Sequence, residues 1–114
     1  MKISELEQLS GLGRDTIRYY ERVGLLTSPI RKSNSYRVYT ERHLRELLFI
    51  KKGREIGFSL EDIKHGAKMF ALKGKLCKES VMQLKQKKME ILERIESEKL
   101  ALREIEKLMA GVIE

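Results

Sequence analysis

The sequence predicts a mostly α-helical chain in two parts. Residues 1–75 hold short helices around a glycine turn with a two-stranded hairpin, and residues 76–114 form one long helix. Three observations predict this. Glycines and capping residues cut the first part at short intervals. Residues 25–40 lose helical spacing and turn to extended, hydroxyl-rich character. Beyond Gly74, apolar residues recur at steps of three and four with neither glycine nor proline until Gly111.

Ser4 followed by Glu7 has capping-box spacing and marks a first helix, with Ile3, Leu6 and Leu9 on its apolar face. The stretch Ser10-Gly-Leu-Gly13 breaks it, and a second helix starts near Arg14 and must stop at Gly24. Two short helices about a glycine turn make a helix-turn-helix. Helical spacing divides the second one: Ile17 and Tyr20 point inward with Val23 or Leu25, while Thr16, Tyr19 and Arg22, with Arg18 beside them, form a polar outer face. After Gly24, Tyr36 and Val38 favour extended chain, and Pro29 and Asn34-Ser35 mark turns, giving a hairpin whose tip carries Arg31, Lys32, Ser35 and Arg37.

Thr40 opens a third helix ending at Gly57, with Leu44, Leu47, Leu48 and Phe49 or Ile50 inward. Its outer side carries Arg42, Arg45, Lys51, Lys52 and Arg54, a candidate second phosphate-contacting surface. Ser59 and Asp62 open a fourth, with Leu60, Ile63, Ala67 and Phe70 as its stripe. In the long helix, steps from Val81 reach Leu84, Lys88, Ile91, Ile95, Glu98, Leu102, Ile105, Met109 and Val112, eight of the ten apolar. This is a coiled-coil seam. About thirty helical residues extend roughly 45 Å, farther than a core of about seventy residues can cover. The seam is therefore expected to close against a second copy, and antiparallel pairing would bring Lys88 of one chain toward Glu98 of the other.

The charge locates a partner. Of the net +7, all lies between Arg14 and Arg54, where eleven Lys and Arg face four acids. Such a field attracts a polyanion, and nucleic acid fits it better than a membrane because no basic amphipathic helix with bulky apolar anchors is present there. A merely solvated basic surface is the plainer alternative. Arginine can bond phosphate or a guanine edge, and Thr and Tyr hydroxyls can reach phosphate oxygens, so the outer face of the second helix and the hairpin tip are the candidate contacts. No membrane-length apolar run and no signal-peptide core are legible, so a cytoplasmic chain is expected. Neither a paired-carboxylate cleft nor a nucleophile with a nearby histidine is legible, so catalysis and a cofactor are not expected.

The stretches "KISELEQLSGLGRDTIRYYERVGLL" and "SYRVYTERHLRELLFIKKGREIGFSLEDI" resemble the MerR family of bacterial transcription regulators almost continuously from Lys2 to Ile63. "TIRYYERVGLL", "YRVYT" and "REIGFSLEDI" stand in the family's order and spacing, while Gly13-Arg14 and Asn34-Ser35 depart from its common Ser-Pro and Asn-Gly. The resemblance implies a winged helix-turn-helix homodimer on double-stranded promoter DNA, with an antiparallel C-terminal dimerisation helix. It implies DNA contacts from Thr16, Arg18 and Tyr19 on the recognition helix and from Ser35, Tyr36 and Arg37 on the wing. The implied mechanism bends and untwists a pseudo-palindromic promoter until RNA polymerase engages it, with polymerase a partner only through the DNA.

Metal-sensing relatives carry several cysteines, whereas this chain has Cys77 alone, so no metal site is expected. His43 and His65 lack ligand spacing and read as surface helix residues. Cys77 is the candidate effector-sensing residue, its thiolate favoured by Lys75, Lys78 and a nearby helix start; a small half-buried hydrophobe is the alternative. A DNA-bending architectural or excisionase-like protein and a coiled-coil adaptor are the rival functional classes.

Overall fold

The computed structural model describes residues 1–33 and 36–111. Its elements are α1 (Ile3–Ser10), α2 (Arg14–Arg22), β1 (Ile30–Arg31), β2 (Arg37–Val38), α3 (Glu41–Ile56), α4 (Leu60–Lys73) and α5 (Lys78–Ala110). Two compact units result, Met1–Cys77 and Lys78–Glu114.

α1 starts earlier than its capping signal. Lys2 is the N-cap, in extended conformation, and no side chain caps the helix. Tyr39 N–H donates to the Met1 carbonyl at 2.7 Å and the Met1 nitrogen donates back to the Tyr39 carbonyl. This strand-like exchange holds the chain start extended and lets the helix begin at once, leaving Ser4 inside the first turn. Glu7 caps nothing; its carboxylate accepts from Arg14 Nε at 2.9 Å and ties α1 to α2. Gly11 closes α1 in the left-handed region, with φ of 73°.

α2 buries Ile17 and Tyr20, and Gly24 (φ 77°) then turns the chain so that Leu25 and Leu26 N–H both donate to the Tyr20 carbonyl, at 2.9 and 3.0 Å. Both leucines enter the core, and Val23 stays outside. β1 and β2 pair antiparallel, Ile30 opposite Val38 and Arg31 opposite Arg37, with Lys32 N–H donating to the Tyr36 carbonyl at 3.0 Å. The hairpin turn at Asn34-Ser35 lies outside the described residues.

α3 buries His43, Glu46, Leu47 and Ile50, one face at helical spacing; Leu48, expected inward, falls off that face and is exposed. Two polar residues hold core positions. His43 is not a surface residue: its Nδ1 accepts from Thr40 N–H at 2.9 Å, reaching back to cap the helix, its Nε2 lies 3.3 Å from the Ser28 carbonyl, and Tyr39 packs edge-on against it. Glu46 is fully buried and accepts from Thr27 N–H at 2.8 Å and Thr27 Oγ1 at 2.6 Å, with Arg42 Nε 3.3 Å away. His65 is exposed.

The cations expected on α3 as a second phosphate-contacting surface also find partners within their own unit. Arg45 donates twice to the Ala71 carbonyl, Lys51 to the Ser10 carbonyl and Arg54 to the Phe58 carbonyl. Arg42 pairs with Glu46 and Lys52 with Glu55; of the three carbonyls, those of Ser10 and Ala71 are left open at the ends of α1 and α4. α4 is capped by Ser59 and Asp62 as its spacing predicts, and it buries Ile63, Ala67 and Ala71 against α3. The approach is close at Gly53, where an added Cβ would sit 2.9 Å from Ile63 Cδ1.

α5 is a single helix of 33 residues. Ile95, Leu102, Ile105 and Met109 of its seam are exposed on the single chain; Val112 lies outside the described residues. Among the described residues, no helix is long and apolar enough to cross a membrane.

Candidate nucleic-acid interface

The polar face of α2 exists because Ile17 and Tyr20 anchor the opposite side of the helix in the core. Arg18, Tyr19 and Arg22 are left outward, and Thr16 is half-buried in the first turn. Tyr19 is 42% exposed, its ring inclined to that of Tyr20 at 6.0 Å between centroids, and the Arg22 guanidinium lies 5.5 Å above it. That stacking holds the Tyr19 hydroxyl in a limited orientation and occupies Arg22 partly with an aromatic face.

The wing returns beside this helix. Arg18, Arg22, Arg31 and Arg37 line one groove together with Glu21, Ser28 and Pro29. A second depression is lined by Arg18, Arg14, Tyr36 and Arg37 with Lys2, Ile3 and Ser4 of the α1 start. The structure thus brings together Arg18, Tyr36 and Arg37, three of the predicted contacts. Tyr36 is 70% exposed, the most exposed aromatic ring among the described residues. Ser35 lies outside the described residues.

Sequence spacing missed Lys2 and Arg14 as groove residues, and it placed Ser4 in a cap rather than at the groove wall. The signal for Lys2 is nonlocal, since it depends on Met1 pairing with Tyr39. It missed Glu21 as well. Glu21 Oε1 accepts a hydrogen bond from the Tyr39 hydroxyl, and Arg37 Nη1 lies 3.4 Å from its Oε2.

Burial, and then the Glu21 carboxylate beside it, push the Tyr39 hydroxyl from 10.0 up to about 12. A folded pKa above the unfolded one for an acid means that the neutral form is favoured in the fold. The contribution of Tyr39 to stability is therefore complete below pH 10 and is lost as pH rises toward about 12. Unfolding free energies followed across that window should fall more steeply for the wild type than for Tyr39→Phe; parallel curves would contradict the assignment.

A family model described as "MerR HTH family regulatory protein" matches residues 1–68, and a second, "MerR, DNA binding", matches residues 44–108. The chain belongs to the MerR family. Among MerR-family relatives, the transcriptional regulator CueR of Escherichia coli O6:H1 is 45% identical over 62 residues, 54% of this chain and 46% of CueR. The chain thus spans about half the length of that relative. The structure of PbrR691 from Ralstonia metallidurans in complex with lead(II) is similar over 99% of this chain and 88% of that one, with TM-score 0.75 and 26% identity. HiNmlR, a MerR-family regulator lacking the sensor domain and bound to promoter DNA, shares the fold with TM-score 0.64 at 23% identity, over 96% of this chain and 83% of that one. Among the described residues, no three His, Cys, Asp or Glu side chains come together as a metal site.

Proposed function

We propose that this chain is a transcriptional regulator that binds promoter DNA as a homodimer in the cytoplasm. The observation that carries it is the shared groove of α2 and the wing, in which Arg18 and Arg37 meet as walls of one concavity. Residues 1–75 serve as the DNA-binding domain: α2 enters the major groove, where Arg18 reads a base edge or phosphate and Tyr19 and Thr16 reach the backbone. Tyr36, Arg37 and Ser35 follow the adjacent phosphates from the wing.

Residues 76–114 serve as the dimerisation helix. The exposed apolar seam of α5 has the spacing of a coiled coil, and antiparallel pairing places Lys88 opposite the partner's Glu98 where a parallel pair would stack like charges. A dimer fixes two heads at one separation, which suits a pseudo-palindromic site. Transcription is then controlled by bending and untwisting the promoter between its two elements. Deforming a site of that size costs a few kcal/mol, enough to act as a switch. RNA polymerase responds through the DNA. Cys77, partly buried just before α5, is the single thiol on which an oxidant or electrophile can act.

Titrating a DNA fragment selected by the chain against increasing salt tests this function. With about six to ten phosphate contacts, affinity should fall by about 10³ to 10⁵ between roughly 50 and 200 mM salt. Flat salt dependence would leave a protein-docking adaptor. Sedimentation of the same sample should show a dimer, and a folded monomer that retains full affinity would remove the homodimer.

A further inference from the structure

One acid stands among the arginines of the groove. Glu21 faces Arg18, Arg22, Arg31 and Arg37, where its charge would repel phosphate and cost affinity. Its side chain is only 11% exposed and both its oxygens are engaged, Oε1 by the Tyr39 hydroxyl and Oε2 by Arg37 at 3.4 Å. Tyr39 is itself immobilised: its ring is 1% exposed and set edge-on to His43, and its backbone is paired with Met1. A hairpin of two-residue strands has little rigidity of its own. A chain of contacts therefore runs from the core through Tyr39 and Glu21 to the Arg37 guanidinium on the wing.

Resting on the DNA-binding function above, we propose that Glu21 is a positioning residue for recognition: it tethers the wing's Arg37 to α2, so that Arg37 and Arg18 meet DNA at one set spacing. A correct site matches that spacing, and other sequences forfeit one of the two contacts. Glu21 lowers affinity for DNA in general and raises the distinction between sites, which is how repulsive elements create specificity. Tyr39 keeps the carboxylate in place as a hydrogen-bond donor, its hydroxyl pushed up from 10.0 to about 12 by burial and the carboxylate beside it.

The test uses the full chain, a duplex selected from a randomised library by the wild type, and a scrambled duplex of equal length. Glu21→Gln keeps an acceptor for Tyr39 but loses the ion pair. Its ratio of specific to scrambled affinity should fall by about tenfold, with affinity for the scrambled duplex equal or higher. In an Arg37→Ala background the same substitution should change the ratio by less than about twofold. A merely structural role would weaken both duplexes together, and that result would overturn the proposal. So would a loss of ratio that persists without Arg37. If Glu21→Gln fails to fold, Glu21→Asp, which keeps the charge but shortens the reach, carries the same comparison. A wild type that selects no sequence over the scrambled duplex would instead remove the DNA-binding function, and this role with it.

Discussion

Replacing Arg18 with alanine should weaken binding to the selected duplex by about 1–3 kcal/mol per half-site, and by about twice that for a dimer on two half-sites. Arg18 is exposed on α2, and it lines both the groove shared with Arg22 and Arg31 and the one shared with Arg14 and Tyr36. Its loss should leave the core alone, so the thermal midpoint should move little. A base contact and a phosphate contact separate by their salt behaviour. If Arg18 reads a base, the loss concentrates on the selected duplex and the salt slope is kept. If it meets phosphate only, both duplexes weaken alike and the slope falls by about one unit. Equal affinity in wild type and variant would end its role at the interface.

Glu46→Ala should be the most damaging change to stability, at about 3 kcal/mol. The Glu46 carboxylate is fully buried and accepts both the backbone N–H and the hydroxyl of Thr27, while Arg42 balances its charge at 3.3 Å. Alanine leaves two donors of the segment before the wing unsatisfied and opens a void where the side chain stood. Glu46→Gln should cost less, because the amide oxygen still accepts from Thr27 N–H and its NH2 can donate to the Thr27 hydroxyl, while the ion pair with Arg42 is lost. Urea unfolding at one fixed protein concentration makes the comparison, since dimerisation would otherwise contribute to the apparent stability. Equal stability of the alanine variant would mean that Thr27 finds another partner or water.

The stretch "DTIRYYERVGLL" shows where local pattern suffices. Ile17 and Tyr20 share one helical face and both are buried; Arg18, Tyr19 and Arg22 share another and remain outside. The stop at Gly24 and the entry of Leu25 and Leu26 into the core follow from a residue that accepts positive φ. The same holds for Ser59 with Asp62, and for Gly57 at the end of α3. Each is a signal that acts within three or four residues.

The fate of the charges was not legible in this way. Arg42, Arg45, Lys51 and Arg54 have the spacing of an outward basic stripe, yet their partners are a buried acid and three backbone carbonyls, one of them 41 residues away. Glu46 and His43 look like surface residues of α3 until Thr27 and Ser28 come within reach.

The amino-acid order by itself determined the later helix limits, most of the apolar stripes, the concentration of positive charge and the family, because propensity, capping and periodicity are properties of neighbouring residues; the start of α1, set by Met1 pairing with Tyr39, was not among them. Tertiary structure alone decided which partner each cation of α3 takes. A long, flexible charged side chain can reach whatever carbonyl or carboxylate the fold brings near it, and leaving that partner unpaired would cost more than bending the side chain toward it.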